Sequence, residues 1–425
     1  MEPVKSSKET ALAGEPLSGA RPALILLLLI NLFNYIDRYV LAAVEPEISK
    51  TFFGSNQSAA TLAKMGSLAT AFLLSYMIAA PIFGWLADRM SRWLLVGASV
   101  LIWSLATGAS GLAGTFAILM ITRLFVGIGE AGYGPAAPTL ISDFYPVSRR
   151  GAVLSWFYMA IPVGSALGFA AGGLIGSAFN WRWAFYIVTI PGILLGIWSF
   201  FMTDPPRGQS GPTRDSYQHP GLKEYLALAK IPSYTLNTAA MAAMTFAIGG
   251  ISFWMPHYLT QVRGLGDSSK TIFGGVTVVA GLSATLIGGM AGDKLRGRFP
   301  GSYFLVSGLG ILAACPFILL MLYVPFPGDW ACIFVAVFFL FFNTGPSNAA
   351  LANVVHPSIR ATAFAVNIFV IHAIGDAPAP PLLGAIGGKF GWNATFFVVT
   401  TAMAVAGLLW LAGMKYLAAD TAAVP

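Results

Sequence analysis

Four ionisable side chains fall deep inside long apolar segments of the N-terminal half of this chain. Asp37 and Arg38 lie near the middle of the first segment, and Arg123 and Glu130 lie in the fourth. A charged group at the centre of a bilayer costs roughly 3 kcal/mol or more on an insertion scale, so such groups usually face a cavity and pair with one another. A buried carboxyl group can hold a proton, and an arginine binds anions through its planar set of donors. These residues therefore predict a site for protons and anions.

The helical spacing indicates how these charges pair. Arg123 and Glu130 are seven residues apart and share one face of a helix, yet they lie about 10 Å apart along its axis. Each of them therefore needs a partner from another helix. Asn34, Arg38 and Glu45 share a face of the first segment, and Asp37 points about 100° away from them. The four charges sum to zero when all are ionised, which favours pairing between the two segments.

Two interpretations of this cluster stay open. In the first, the ion pairs only fix the fold of the N-terminal half. In the second, one carboxylate cycles a proton while the arginines bind substrate, because burial favours a protonated carboxyl group and a nearby guanidinium favours an ionised one. Any motion that separates the pair then changes the proton affinity. We favour the second interpretation, with Asp37 as the first candidate for the coupled proton and Glu130 as the second.

The C-terminal half has a different chemistry. Its deep ionisable groups are His372 and Asp376, four residues apart, and His372 is equally well explained as a packed, hydrogen-bonded histidine. This half is otherwise rich in aromatic and amide side chains, which favours a substrate with an anionic head and an apolar tail that lies along Trp254 and Phe246. The predicted substrate-binding residues are Asn34, Arg38, Arg123, Tyr133, Tyr158, Trp254, His372 and Asp376.

The composition explains which elements position these residues. Of the 425 residues, 56% are hydrophobic and 10% are charged, whereas soluble domains carry roughly 25% charged residues. The mean hydropathy is +0.74. At roughly 20 residues per membrane span, the chain accommodates about twelve helices. We expect an all-α integral membrane protein with helices at 22–48, 60–88, 92–112, 115–143, 149–178, 183–202, 233–262, 269–293, 302–324, 330–354, 359–388 and 392–417.

Several function classes are disfavoured by the same sequence. The net charge of +7 comes from scattered Lys and Arg residues and forms no patch for nucleic acid. No GxxxxGK[ST] or HExxH motif occurs, and Cys315 and Cys332 form neither a disulfide framework nor a metal motif. We therefore expect no enzyme activity, no metal and no cofactor.

An internal repeat divides the chain into two halves of six spans. GWLADRMSR at 84–92 recurs as GMAGDKLRGR at 289–298, and the Pro-Val-Ser-Arg run at 146–149 recurs as Pro-Ser-Ile-Arg at 357–360. Between the halves lies one hydrophilic stretch, Thr203–Ser233, which ends in a predicted short interfacial helix. Parallel six-span repeats place a substrate site near the membrane midplane at the repeat interface.

Loop charges predict the orientation. Lys and Arg are much more frequent in loops on the side of the N-terminus than on the opposite side, where Lys50, Lys64 and Arg263 lie. By the positive-inside rule, both termini are cytoplasmic. The predicted organisation is a flexible cytoplasmic N-terminus at 1–21, a six-helix bundle at 22–202, a cytoplasmic linker at 203–232, a second bundle at 233–417 and a tail at 418–425.

Several segments carry a resemblance to a known family. The segment at 84–92 is similar to the cytoplasmic loop signature of the major facilitator superfamily. The Spinster branch of that superfamily is resembled by NLFNYIDRYVLAAVEPEI (31–48), TRLFVGIGEAGYGPAAPTLISD (122–143), FYMAIPVGSALG (157–168) and DPPRG (204–208). The resemblance is dense over 30–208 and weaker afterwards, where IGDAP (374–378) is the best match.

This resemblance implies a transporter that works by alternating access of two six-helix bundles. Spinster relatives are associated with export of lysolipids and sphingoid phosphates. The resemblance also implies a cytoplasmic latch, in which a negative Asp88 lies near the N-terminus of the eleventh predicted helix, 359–388, where the helix dipole favours it. The latch residues are Gly84, Asp88, Arg89, Arg92, Asp143, Arg149, Arg150, Asp293 and Arg360.

The sequence thus predicts a proton-coupled secondary transporter of an amphipathic, lipid-like anion, multi-pass in the cell's plasma or inner membrane. A proton-coupled importer of a small organic or sugar-phosphate anion is the alternative. A non-transporting receptor or scaffold is less consistent with the buried charges, which a scaffold has no reason to keep. We expect the lipid bilayer and the substrate as partners, no nucleic acid, and a monomer.

Overall fold

The computed structural model describes residues 15–87, 89–206, 227–356 and 359–424. The described residues form helices and connecting turns and contain no β-strand. Among the described residues, twelve helices are long and apolar enough to cross a membrane. The predicted all-α membrane fold is therefore confirmed, although most of the predicted interfacial helix in the central linker lies outside the described residues.

The helices begin and end close to the predicted positions. In chain order they are α1 (Ala20–Ala43), α2 (Glu45–Phe53), α3 (Ala59–Ala87), α4 (Arg92–Gly111), α5 (Phe116–Phe144), α6 (Val147–Ala178), α7 (Trp181–Ser199), α8 (Pro232–His257), α9 (Ser268–Arg296), α10 (Ser302–Leu320), α11 (Gly328–Phe341), α12 (Thr344–Asn353), α13 (Arg360–Val370), α14 (Ala379–Phe390) and α15 (Trp392–Ala422).

Four predicted helices are interrupted near prolines. The predicted helix 233–262 ends as α8 at His257, next to Pro256, and continues as a π-helical turn at Tyr258–Val262. The predicted helix 22–48 is wrong at its end, because α1 stops before Val44 and a separate helix, α2, follows. Pro46 has no N–H to donate to the carbonyl group four residues earlier, which breaks the regular ladder. The predicted helix 330–354 divides in the same way into α11 and α12, four residues before Pro346.

The predicted helix 359–388 divides into α13 and α14, which are joined through a π-helical turn at Ile371–Asp376. The N–H of Ala377 donates to the carbonyl oxygen of His372, five residues earlier, at 3.1 Å. Pro378 then offers no N–H, so the regular α-helical pattern cannot resume before it. The last helix, α15, extends five residues beyond its predicted end at 417.

The described residues group into two compact units. The first unit comprises the described parts of Met1–Ile48 and Ala71–Gln218, and the second comprises those of Ser49–Thr70 and His219–Pro425. In the first unit, α1 packs against α6 and α7, and α4 packs between α5 and α7. In the second unit, α8 and α10 both pack against α15.

A row of glycines on α6 brings this helix very close to α1, which carries Asp37 and Arg38. Gly164, Gly168 and Gly172 recur every four residues and so share one face. A Cβ atom at Gly168 would lie 2.7 Å from the carbonyl oxygen of Ile36. Small residues of this kind allow the backbones of membrane helices to touch, and here they set the depth and rotation of α1.

We expect Gly168→Ala to destabilise the protein, because the added methyl group meets backbone atoms of α1 that cannot move aside. Overpacking of this type costs roughly 1–3 kcal/mol, so the apparent melting temperature of the purified protein should fall. Gly275→Ala on α9 is the matched control, since a Cβ atom there meets nothing within 4 Å. Equal melting temperatures for the two variants would show that close packing at Gly168 does not position α1.

Candidate functional site

Helices α1 and α5 bring the four deep charges together as two ion pairs. Arg38 Nε lies 2.7 Å from Glu130 Oε2, and Arg123 Nη1 lies 3.9 Å from Asp37 Oδ1. Each pair joins one helix to the other, as the spacing of the residues predicts. The side chains of Asp37, Arg123 and Glu130 are at most 2% exposed, so three of the four charges are sealed inside the first unit.

Hydroxyl groups complete the buried pair. The Thr107 hydroxyl on α4 donates to Asp37 Oδ2. Arg123 Nη2 donates to Ser110 Oγ at 2.5 Å, and Ser110 Oγ bonds with Thr122 Oγ1 at 2.8 Å. Sequence reasoning missed these three residues. Hydroxyl side chains are common in membrane helices, where they often bond to their own backbone, so their types alone gave no signal.

Arg38 differs from Arg123 in its exposure. Its side chain is 24% exposed, against 2% for Arg123. The guanidinium of Arg38 lies among three aromatic rings, with the centroids of Tyr35, Phe72 and Tyr76 at 5.1, 4.9 and 5.5 Å. Such rings attract a cation and also present apolar surface. Arg38 is therefore a positive group that a ligand can reach, set in an aromatic frame.

The other predicted binding residues of the first unit have separate environments. Asn34 is buried on α1, one turn before Arg38. Tyr133 is 4% exposed, and its hydroxyl donates to the carbonyl oxygen of Leu27 at 2.9 Å, so packing within the unit accounts for it. Tyr158 is 49% exposed and remains accessible to a ligand.

In the second unit, His372 and Asp376 form a pair on the π-helical turn. His372 Nδ1 lies 3.0 Å from both carboxylate oxygens of Asp376, and the two side chains are 23% and 18% exposed. Gly249 of α8 allows this turn to approach closely, because a Cβ atom there would lie 2.6 Å from Asp376 Cβ. The structure therefore joins these two predicted residues to each other within the second unit.

The two residues predicted to contact an apolar tail are placed differently. Trp254 is 1% exposed, its indole N–H donates to the carbonyl oxygen of Pro380 at 2.8 Å, and its ring packs against His257 and Trp392. Core packing thus accounts for Trp254 without a ligand. Phe246 instead lines an open apolar cavity of about 750 Å³ in the second unit.

Arg92 is the centre of the predicted latch residues in the first unit. Its guanidinium donates to Asp143 Oδ2 at 2.5 Å and to the carbonyl oxygen of Pro205 at 3.1 Å. Asp204 accepts from the backbone N–H groups of Arg92 and Trp93, at 2.8 and 3.0 Å. A carboxylate at this helix N-terminus compensates free N–H groups and the helix dipole. The family resemblance gives Asp204 only as part of the segment 204–208 and does not reveal that it caps the start of α4.

The remaining latch residues are not joined to this cluster by any hydrogen bond or ion pair in the described residues. Arg89 packs its guanidinium 4.1 Å from the centroid of Trp85, and Asp293 accepts from the Tyr303 hydroxyl at 2.8 Å. Arg149 is exposed. Gly84 has open space around it, and Arg360 begins α13. Asp88 and the side chain of Arg150 lie outside the described residues, so the predicted contact of Asp88 stays a prediction.

Comparison with known proteins identifies the family. A family model described as the Major Facilitator Superfamily matches residues 27–380. Protein spinster homolog 3 of Danio rerio is 35% identical over 394 residues, which cover 88% of this chain and 78% of the relative. The sphingosine-1-phosphate transporter SPNS2 of Danio rerio is 34% identical over 381 residues, which cover 84% and 74%.

A solved structure supports the same fold. It is a bacterial homologue of the human lysosomal transporter Spinster, in an inward-facing and unoccupied conformation. The match has a TM-score of 0.78 at 23% identity and covers 96% of this chain and 98% of that one. The family match, the identity to the curated relatives and the twelve spanning helices lead to one conclusion: this chain belongs to the Spinster branch of the Major Facilitator Superfamily and is a multi-pass membrane transporter, not an enzyme.

Proposed function

We propose that this transporter moves an amphipathic, lipid-like anion, such as a lysolipid or a sphingoid phosphate, by alternating access and couples the movement to protons. The observation that carries the proposal is the Arg38–Glu130 pair. It holds a partly exposed cation at membrane depth, directly beside a buried carboxylate. A substrate anion and a proton can therefore act on the same pair.

Arg38 is the proposed contact for the anionic head. Glu130 accepts from Nε of Arg38, so the terminal nitrogens of the guanidinium remain for an incoming phosphate or carboxylate. Arginine suits such groups because its planar fork pairs with two oxygens at once. The rings of Tyr35, Phe72 and Tyr76 surround the guanidinium and provide apolar surface for the part of the substrate next to the head.

Asp37 is the proposed proton carrier. It is fully buried, and its distance of 3.9 Å to Arg123 is longer than the 2.7 Å between Arg38 and Glu130. A small movement of α1 against α5 therefore separates Asp37 from its cation, and a proton can then neutralise the carboxylate. Glu130 responds in a related way, because an anion that binds Arg38 competes with Glu130 for the guanidinium. Leaving one member of a buried pair without compensation is costly.

The lipid-like class of substrate rests on the relatives and on the site. One relative is named a sphingosine-1-phosphate transporter. A molecule of that type has a phosphate head and a long apolar chain, which fits a single accessible arginine in an aromatic frame better than it fits a site lined with many charges. The small-anion alternative predicts no dependence of binding on an apolar tail, so the length of the tail distinguishes the two.

Asp37→Asn should abolish transport driven by a pH gradient and leave ligand binding largely intact. The amide mimics the protonated carboxyl group in near-equal volume but cannot release a proton. Uptake into proteoliposomes with and without an imposed pH gradient measures the first effect, and equilibrium binding measures the second. Asp267→Asn, the same change at a residue that pairs with Lys270, is the control. An Asp37→Asn protein with normal dependence on the gradient would make Asp37 structural and Glu130 the candidate.

Arg38→Ala should weaken binding of sphingoid phosphates by roughly 10- to 100-fold, the range expected for hydrogen bonds to charged groups. The factor should be similar for every chain length, because the arginine contacts only the head. For the wild type, affinity should rise with chain length, since each buried CH₂ group contributes about 0.8 kcal/mol. Affinities of the purified protein for a series of chain lengths provide the measurement.

Arg182→Ala is the matched control for this experiment. Arg182 also lies over an aromatic ring, 4.2 Å from the centroid of Trp181, but it donates to the carbonyl oxygen of Ala113 at the end of a helix. Affinity that does not depend on chain length would support the small-anion alternative. An Arg38→Ala loss no larger than that of Arg182→Ala would place Arg38 outside the binding site.

A further inference from the structure

A second cavity lies in the second unit, at the end of α15 and next to the turn between α9 and α10. It has a volume of about 430 Å³ and is lined by Phe299, Leu411, Ala412, Met414 and Lys415. We propose that this cavity binds an anionic phospholipid of the surrounding bilayer, with the lipid phosphate at the basic residues and an acyl chain along the apolar ones. This inference does not depend on the identity of the transported substrate.

Positive charge is concentrated at this end of the unit. Lys294 and Arg296 lie in the last turn of α9, Arg298 follows in the turn before α10, and Lys415 borders the cavity itself. All four are exposed. Lys294, Arg298 and Lys415 form no ion pair within 4.0 Å in the described part of the chain. Arg296 lies 5.3 Å from the centroid of Tyr303, and Lys415 Nζ lies 4.7 Å from the centroid of Tyr416. Most of this charge is therefore free to attract an anion.

The neighbouring carboxylates are already engaged. Asp293 accepts from the Tyr303 hydroxyl at 2.8 Å. Asp420, further along α15, accepts from the backbone N–H of Ser233 at 2.8 Å, where it caps the start of α8. Among the described residues, neither carboxylate forms an ion pair with Lys415 or Arg298. These hydrogen bonds come from neutral groups, so both carboxylates keep their charge. Four cations against two carboxylates still leave a local charge of +2.

The duplicated motif shows why this charge is unusual. In the first copy, Arg92 is 4% exposed and its guanidinium is held by Asp143 and Pro205. In the second copy, the residue that ends the motif is Arg298, which is exposed. The first copy also presents one exposed cation, Arg89, over the ring of Trp85. The second copy presents three exposed cations, Lys294, Arg296 and Arg298, and so carries more positive charge at the surface.

The apolar residues fit the ligand class. Phe299 is 38% exposed and Leu295 is 36% exposed, although both lie among charged residues. Leu408, one turn before Leu411 on α15, is 60% exposed within a helix long and apolar enough to cross a membrane. Exposed apolar groups beside exposed cations match the acyl chain and the phosphate of one lipid. Basic pockets of this kind at membrane helix ends recognise anionic lipid head groups.

The test measures lipid retention by the full-length protein and needs no transport assay. Purified protein is equilibrated with mixed micelles that contain equal amounts of phosphatidylglycerol and phosphatidylcholine, and bound lipids are counted by native mass spectrometry. The wild type should retain phosphatidylglycerol in preference. Arg298→Ala with Lys415→Ala should weaken that retention by about 10- to 30-fold, since each cation near the surface contributes about fivefold.

Two further variants separate specific binding from general charge. Lys64→Ala with Lys389→Ala removes the same charge from two exposed lysines far from the cavity in sequence and should leave retention unchanged. Ala412→Phe fills the cavity without altering charge and should lower retention of phosphatidylglycerol. The proposal is overturned if the wild type shows no preference for phosphatidylglycerol, or if the Lys64/Lys389 pair reduces retention as much as the Arg298/Lys415 pair.

Discussion

The ion pairs between α1 and α5 place four charges inside a membrane-spanning unit, and the rest of this unit is arranged around that constraint. A charged side chain at this depth is tolerated only with a partner. The two pairs have different strengths of contact, 2.7 Å for Arg38–Glu130 and 3.9 Å for Asp37–Arg123. The Asp37–Arg123 pair is sealed and the Arg38–Glu130 pair is partly open. In the proposed mechanism a ligand binds at Arg38, and Asp37 takes a proton only after α1 moves against α5.

This network depends on the accurate placement of α1. Gly164, Gly168 and Gly172 of α6 carry no side chain where this helix meets α1, and Gly129 of α5 similarly lets that helix approach Trp103 of α4. Thr107 and Ser110 of α4 can then reach Asp37 and Arg123. Close packing therefore serves the polar site as well as stability.

Much of this arrangement follows from the sequence. Apolar runs of the right length predict the twelve spans, and the seven-residue spacing of Arg123 and Glu130 requires partners on another helix. The breaks at Val44 and near Pro346 were missed because a proline in a long apolar run is often accommodated within one helix, and the position of the break depends on neighbouring helices. The helix pairing that brings Thr107 to Asp37 is likewise a tertiary property. No spacing rule within one segment reveals it.

The same distinction applies to the predicted site residues. The types of Trp254 and Tyr133 suit a binding site, but their polar atoms are bonded to the carbonyl oxygens of Pro380 and Leu27 in the interior of their own units. Aromatic residues with a polar handle are equally useful in cores. Only the hydrogen-bond partners of these side chains in the folded protein distinguish a binding site from a packed core. By contrast, ionisable residues at membrane depth have few structural uses, so the prediction from Asp37, Arg38, Arg123 and Glu130 led directly to the cluster that the structure contains.

The central claim is that anion binding and proton binding act on one network. The most direct measurement is the number of protons exchanged when a sphingoid phosphate binds at constant pH, obtained by calorimetry in two buffers with different ionisation enthalpies. Each ligand bound should exchange about one proton, because linkage requires a change in protonation when a ligand alters the proton affinity of the carboxylates. In a protein that carries both Asp37→Asn and Glu130→Gln, this number should fall to zero. A wild-type protein that binds the ligand with no exchange of protons would show that anion binding and proton binding are independent.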